Sequence, residues 1–433
     1  MSVKQIVDEI YASYLKAEPH FKAGVSDAVR RNPELLLPYL SVFPKERNIV
    51  ITGSKGKGSL ARMLAALLSA REKTGLFVSP HIVEFNERIA VDGQTIPDAA
   101  LERTVRGVLR DAKPVLKGLR QEEYVSPIGI LALAAMRYFS EEHTKWNVLE
   151  CGKGARYDDV NRIRHEYAVI GTIFLEHAKE LGSTVEEIAA DKACVMTKDV
   201  CCVYVMEQQP TVREVIRQRA KEMGVSTKWF GEDFAAERIR QGTDGVCADI
   251  RIGKETFREV RLSLLGTFQA KHAALALAML SDILPGTLSD RAVWERALSS
   301  VRIPGRMEIL RTDPFCLLDS CINRQSAKEV VRLLGELGID CATTILCLPD
   351  DKDVAGVAEE MSRVSENMIF SHFDHPHYPM SMDPAAFLAN CDTAYAYEND
   401  FKKAFLEAES FGRPIVILVA NTFVQYAKQL LPF

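Results

Sequence analysis

The segment Gly53-Ser-Lys-Gly-Lys-Gly-Ser59 carries the residue types that hold a chain of phosphates. Gly53, Gly56 and Gly58 let backbone N–H groups approach phosphate oxygens, and a helix starting at the loop adds its partial positive charge. Ser54 and Lys55 complete the turn. Lys57 is placed to reach the β- and γ-phosphates, and the Ser59 hydroxyl is placed to ligate Mg²⁺. The spacing is shorter than GxxxxGK[ST], with Gly58 lying between the lysine and the hydroxyl. The plain alternative is a Gly-rich turn in an ordinary strand–helix unit. A second cluster, Ser371-His-Phe-Asp-His-Pro-His-Tyr378, gathers three histidines and an aspartate. That composition suits a metal site, but matching ligands elsewhere are missing, so a substrate-facing loop around His375 ranks above a metal site, with ordinary surface the plain alternative.

These groups need elements that aim them. Asn48–Thr52 is an apolar run ahead of the loop, and the helix after it places Leu60, Met63, Leu64, Leu67 and Leu68 on one face. Gly75–Val78, Asn147–Glu150 and Val169–Phe174 continue the series. Strands alternating with helical patterns predict a parallel sheet covered on both faces. Gly245–Leu265 breaks this rhythm and reads as an antiparallel hairpin around Gly253–Lys254, ahead of a helix over Ala270–Ser281. A Pro-Gly break at Val301–Met307 follows a helix over Asp290–Ser300. Strands at Phe315–Asp319, Thr343–Leu348, Met368–Ser371 and Pro414–Ala420 then restart the α/β alternation. The expectation is therefore two domains, residues 1–300 and 301–433. The first is a P-loop, doubly wound, mostly parallel α/β sheet with a small antiparallel insert; the second is a smaller Rossmann-like α/β domain.

Composition narrows the function classes. The 433 residues carry 54 Lys plus Arg against 59 Asp plus Glu, a net charge of −5, which gives no basic field for nucleic acid. The apolar runs Gly129–Met136 and Ala273–Leu280 are far shorter than the roughly 18 residues that span a bilayer. The first ten residues mix both charge signs and lack a signal peptide's apolar core, so a cytoplasmic protein is expected. Ten cysteines without a CxxC pair read as reduced core thiols, with Cys201–Cys202 in a buried strand.

The phosphate loop resembles the GTNGKGS loop of folylpolyglutamate and dihydrofolate synthases, relatives of the Mur peptidoglycan ligases. Ser79-Pro-His-Ile-Val-Glu-Phe-Asn-Glu-Arg-Ile89 is similar to that family's SPHLxxFNERI, at the right distance from the loop. Leu149–Asn161 resembles LEVGLGGRLDATN, Phe174–Gly182 the segment containing LDHTEWLG, and Glu186–Cys194 the segment EEIAREKAG. Pro304-Gly-Arg306, Asp319–Asn323 and Asp351-Lys-Asp353 match PGR, DGAHN and DKD, so the resemblance runs over roughly residues 45–425.

The resemblance implies a ligase that joins a carboxylate to an amine using ATP and two Mg²⁺ ions, through an acyl phosphate, with ADP and phosphate released. It implies that Lys57 steadies the phosphates, that Ser59 and Glu150 hold the nucleotide's metal, and that Ser79 and His177 sit near a second ion. Lys192 matches a lysine that is carbamylated in many relatives. Arg306 matches an arginine directed at the phosphates, and Asp319 an acid near the ribose. Gln269 and His272 stand at adenine-side positions. Ser79, His81, Asn323 and Asn421 stand at substrate-side ones, although an isolated imidazole such as His81 is ordinarily structural. Small-molecule acid and amine substrates, no nucleic-acid or membrane partner, and a monomer complete the expectation.

Several positions depart from the family. TxFE appears as Ser126-Pro-Ile-Gly129, without its acid. GxHQxxNA reads Gly266-Thr-Phe-Gln-Ala-Lys-His-Ala273, with Phe268 and His272 replacing His and Asn. DGAHN reads Asp319-Ser-Cys-Ile-Asn323, and Asn421 replaces a serine of GSLYLV. Phosphate and metal positions are kept while substrate-facing ones change, and a lost buried polar contact costs discrimination. The sequence alone therefore points to an amino acid joined to a non-folate small acid. Glutamate addition to a folate is the alternative, and a nucleotide-binding scaffold or a simple phosphotransferase to a hydroxyl are further ones.

Overall fold

The computed structural model describes residues 2–21, 30–40, 47–373, 379–380, 383–388 and 393–431. The chain groups into two units. One comprises Met1–Ala236, Ile250–Phe257 and Lys271–Leu298, and the other Glu237–Asp249, Arg258–Ala270 and Ser299–Phe433.

The first unit is built on eight strands: β1 Arg47–Thr52, β2 Thr74–Phe77, β3 Ile89–Val91, β4 Gln94–Thr95, β5 Trp146–Glu150, β6 Tyr167–Ile170, β7 Cys202–Val205 and β8 Ser226–Trp229. They lie in the order β4-β3-β2-β5-β1-β6-β7-β8. Pairing is parallel from β2 across to β8, and β3 and β4 close one edge antiparallel. β1 runs down the middle, in register with Glu150 beside Ile51 on one side and Ile170 beside Thr52 on the other. Strands covered on both faces are apolar throughout, which is why β1 shows five consecutive buried residues rather than an alternation.

Among the helices, α1 Lys57–Ser69 follows β1, α2 Pro127–Glu141 precedes β5, α3 Val185–Lys192 precedes β7, and α4 Thr267–Ile283 packs its apolar length inside the fold. Ser126 caps α2 by accepting from the Gly129 N–H at 3.3 Å, and Pro127 occupies the first turn, where a missing N–H costs nothing. α3 opens with a capping box in which Thr184 and Glu187 satisfy each other's backbone N–H groups.

Strands β9 Phe234–Gly242, β10 Gly245–Ile252 and β11 Glu255–Leu262 form a three-stranded sheet in the order β11-β10-β9. The hairpin read from sequence is β10–β11, and β9 adds a strand that its charged, weakly apolar sequence conceals. The division between the units passes through this sheet.

The second unit carries β12 Glu308–Thr312, β13 Phe315–Asp319, β14 Ala342–Cys347, β15 Ser365–Phe370, β16 Ala394–Tyr397 and β17 Ile415–Val419, in the order β12-β13-β17-β14-β15-β16. All but β12 pair parallel. Helix α5, Arg324–Glu336, links β13 to β14. Edge strands β12 and β16 were missed in the sequence because edges bury little and lack a continuous apolar run. Two mostly parallel sheets with one antiparallel insert match the fold class expected. Cys201 corrects the cysteine reading: it is exposed just before β7, while Cys151, Cys316, Cys321 and Cys347 are buried, and the cysteines among the described residues are free thiols. No helix among the described residues is long and apolar enough to cross a membrane.

Candidate active site

Three adjacent strands of the first unit end together, and each contributes part of one constellation. The loop leaving β1 starts at Gly53, whose φ of +147° and close packing exclude a side chain: a Cβ there would lie 2.8 Å from the Gly171 Cα. The loop is pinned to the exit of β6 by Gly171 N–H to Thr52 O at 2.8 Å and Ser54 N–H to Thr172 O at 3.1 Å. The Ser54 hydroxyl also donates to Phe174 O and accepts from Phe174 N–H, both at 3.2 Å. Gln208 holds this exit strand from behind, donating to Gly171 O and accepting from Ile173 N–H. Gly56 is left-handed at φ +81° and starts α1, which turns the helix N-terminus and its free amides toward the loop.

Two lysines converge on one acceptor. Lys57 Nζ donates to Gly53 O at 3.0 Å, and Lys192 Nζ donates to the same oxygen at 2.9 Å. Lys192 also donates to Lys153 O at 2.7 Å and lies 3.1 Å from a Glu176 carboxylate oxygen. Its side chain has no exposed surface. Burial, and then the charge of Lys57, pull its pKa down from the ordinary 10.5 to about 8, while Glu176 opposes the shift. A buried cation held by two carbonyls and one acid is a positioned charge, and neighbouring phosphates would stabilise it further.

From β5, Glu150 is buried and accepts from the Ser79 N–H at 3.1 Å. Its carboxylate lies 3.3 Å from where a Cβ of Gly58 would stand, so it borders the phosphate loop directly. Ser59 is buried in the first turn of α1. The structure thus brings Gly53, Lys57, Gly58, Ser59, Ser79, Glu150 and Lys192 to one place. Ser59 and Glu150 offer hard oxygen donors, a set that fits Mg²⁺ once phosphate oxygens and water complete its shell.

His177 starts a short helix with a left-handed backbone at φ +46°. It lies within electrostatic reach of Glu176, Lys153 and Lys192. His81 is engaged internally: its Nδ1 accepts from Arg88 Nε at 3.0 Å and its ring meets Phe85 edge-on. Burial, and then Arg88, lower its pKa to about 4, so it is a neutral structural imidazole. That agrees with the ordinary role of an isolated histidine and weighs against a substrate contact. His272, buried on α4, faces the phosphate loop itself, its Cε1 2.5 Å from where a Cβ of Gly56 would be. Burial lowers its pKa to about 4 and keeps it neutral.

In the second unit, Asp319 ends β13 and accepts from the Met307 N–H at 2.8 Å. Arg306 donates weakly to Ser320 O at 3.4 Å, and the Ser320 hydroxyl donates to Gly305 O at 2.8 Å. Arg306 and Asp319 are therefore knitted into one turn. Asn323 caps α5, its side-chain oxygen accepting from the Ser326 N–H and hydroxyl. Local capping accounts for that oxygen. Asn421 follows β17 with its side-chain oxygen buried and without a hydrogen-bond donor among the described residues. Gln269 is fully buried in the first turn of α4. His375 and most of the histidine cluster lie outside the described residues, and the remaining His372 stacks on Tyr397 and bonds its hydroxyl at 3.0 Å. Among the described residues no group of three or more His, Cys, Asp or Glu forms a metal cluster.

Glu176 and Lys153 went unassigned in the sequence. An acid beside a candidate histidine was a visible signal for Glu176. Lys153 contributes its backbone carbonyl, for which no residue type gives a signal.

The Mur ligase middle domain model matches residues 51–280, more than half of the chain. The dihydrofolate synthase/folylpolyglutamate synthase of Bacillus subtilis is 25% identical over 410 residues, covering 93% of this chain and 94% of its own length. The Mycobacterium tuberculosis enzyme of the same description is 28% identical over 345 residues, 76% of this chain and 71% of its own. Crystal structures of Mycobacterium tuberculosis folylpolyglutamate synthase with ADP and AMPPCP superpose with a TM-score of 0.81 at 25% identity, over 97% of this chain and 98% of that one. With the phosphate loop, its converging lysines and the strand-end acid in place, the chain belongs to the folylpolyglutamate/dihydrofolate synthase family of the Mur ligase superfamily and is an ATP-dependent ligase that forms amide bonds.

Proposed function

We propose that this ligase adds L-glutamate to a folate-type acid, as folylpolyglutamate or dihydrofolate synthase. The observation that carries the reading is the end-to-end likeness to enzymes of that description, 93% of this chain against 94% of the Bacillus subtilis protein. It favours folate over the non-folate acid suggested by the substituted positions. Those substitutions leave the phosphate-facing groups intact.

The chemistry follows from charge. A substrate carboxylate attacks the γ-phosphate to give an acyl phosphate and ADP. The glutamate amine then displaces phosphate through a tetrahedral intermediate. Both steps build negative charge, so positioned cations and amides lower the barriers most. Lys57 and Lys192 present two ammonium groups at Gly53, and the free amides at the start of α1 receive phosphate oxygens. Lys192 as an ammonium is a held cation; carbamylation, which its lowered pKa favours, would replace that positive charge with a carboxylate. Ser59 and Glu150 would hold Mg²⁺, which when bound neutralises phosphate charge; Ser79 and His177 are the candidates for a second ion. Arg306 and Asp319 are the second unit's candidates for nucleotide contact, and Asn421, with its unpaired buried oxygen, for the incoming amine.

The test is phosphate release from ATP and Mg²⁺ with L-glutamate and dihydropteroate, a reduced folate or a panel of small acids, with products weighed by mass spectrometry. A product one glutamyl unit heavier than the folate or pteroate supports the reading. Release that needs a different acid sinks the folate assignment and restores the non-folate one. Nucleotide binding without release across the panel marks a scaffold.

A further inference from the structure

Glu308 ties three parts of the second unit to one turn. The turn Pro304-Gly-Arg306 carries Arg306, the second unit's candidate for phosphate contact, and Glu308 stands two residues later, where it opens β12. One carboxylate oxygen, Oε2, accepts from the Gly305 N–H at 2.8 Å, so the acid closes the turn from its C-terminal side. The other, Oε1, accepts from Lys428 Nζ at 2.6 Å. Lys428 belongs to helix α6, Val424–Leu430.

The same helix meets the turn a second time. Val424 stands four residues ahead of Lys428, on the same face of α6. A Cβ built on Gly305 would lie 2.6 Å and 2.7 Å from the two methyl carbons of Val424, so the turn packs there without room for a side chain. The φ of +63° at Gly305 suits glycine. Met307, at φ +48°, takes the left-handed conformation without that freedom, which lasts only where the surroundings over-determine it. They do so here: Asp319 accepts from the Met307 N–H, and the Ser320 N–H and hydroxyl both donate to Gly305 O at 2.8 Å. Arg306 thus lies between two left-handed residues, each locked from outside. Its guanidinium makes a long bond, 3.4 Å, to Ser320 O. The backbone therefore sets its aim. An ion pair between side chains 27% and 35% exposed adds little to stability, so the worth of Glu308 and Lys428 lies in the geometry they enforce.

We propose that Glu308 is a positioning residue of the ligase reaction, setting the aim of Arg306 by holding the Gly305 amide, and that Lys428 of α6 holds Glu308 in turn. The proposal rests on the ligase reading above, in which Arg306 serves the phosphates. A cation acting on a transferring phosphate contributes most in the transition state, so a misaimed arginine shows in turnover rather than in nucleotide affinity.

The test is a mutant cycle in the full-length protein: Glu308→Ala, Glu308→Gln, Lys428→Met, Lys428→Arg, Arg306→Ala and the double Arg306→Ala/Glu308→Ala. Each is first checked by thermal melting and ATP binding. Glu308→Ala should lower kcat about tenfold or more, with the KM of ATP held within about threefold and the fold intact. Glu308→Gln keeps an oxygen for the Gly305 amide and should recover most of that loss. Lys428→Met should lower kcat by about threefold, and Lys428→Arg should keep the parent's rate. With Arg306 already removed, deleting Glu308 should change kcat by less than about twofold, because no aim remains to be spoiled. Equal losses in the two backgrounds overturn the proposal, as does a folded Glu308→Ala variant with the parent's kcat. If Glu308→Ala does not fold, Lys428→Met carries the same comparison, with a loss in the parent and none in Arg306→Ala expected. Failure of the parent to use a folate-type acid would count against the functional reading alone. The cycle is then scored on whichever acid supports phosphate release, or on ATP affinity if none does.

Discussion

The strand ends of the first unit and those of the second use polar residues in opposite ways. Around the phosphate loop, Lys57 and Lys192 both lean on the single carbonyl of Gly53, with Glu176 the one acid paired to the buried Lys192. Both ammonium groups are held on backbone carbonyls beside two acids, Glu150 and Glu176, and are thereby positioned for phosphate oxygens. At β13, Asp319 is matched to a backbone amide, Arg306 to a carbonyl and Asn323 to the first turn of a helix. These groups are already satisfied within their own turns. A site built for an anion holds its ammonium groups ready for phosphate oxygens, whereas Asp319, Arg306 and Asn323 are each tied to backbone groups in their own turns.

The sharpest way to break this contrast is to remove the cations. Lys57→Ala, and Lys192→Met with its similar volume, should each lower ATP-dependent turnover by about a hundredfold or more while the fold persists, as read by phosphate release and circular dichroism. Glu150→Gln keeps the shape and its bond to Ser79 but removes the charge. Turnover should fall by about tenfold or more, with a higher Mg²⁺ requirement in a titration. Asn323→Ala should instead cost about 1 kcal/mol of stability through the lost cap, with turnover changed less than about threefold. A hundredfold activity loss there would show that the second unit's residues are not merely local.

The smallest effect belongs to His272. Its folded pKa, about 4, lies below its ordinary 6.5, so the unfolded chain binds more protons between those values. Its contribution is present above pH 6.5 and is lost as pH falls through about 4. Melting temperatures of His272→Asn and the parent should therefore converge on acidification, with the parent falling faster between pH 6.5 and 4.

What the sequence revealed follows from what leaves a pattern in residue types. Strands buried on both faces, such as β1, β5 and β14, are unbroken apolar runs and were legible. β12 and β16, at an edge, were not, and β9 alternates charge on a solvent face. Lys57, Ser59, Glu150 and Lys192 stood in spaced motifs, and the fold assembles them. Contacts made through backbone carbonyls, Gly53 and Lys153 above all, leave no such trace. The Gly129–Asp159 contact spans thirty positions between two unrelated segments. The Ser126–Gly129 departure reads as a lost acid, and nothing in the residue types marks Asp159 as the neighbour of Gly129 in space.

Lys192 has one further use. An amine of pKa near 8 is a good nucleophile at mildly alkaline pH, yet this one has no exposed surface. An acylating reagent can reach it only when the phosphate loop parts from the exit of β6. Its labelling rate, set against that of a surface lysine, thus measures how often the loop opens, and slowing by ATP would report how far the nucleotide keeps it shut.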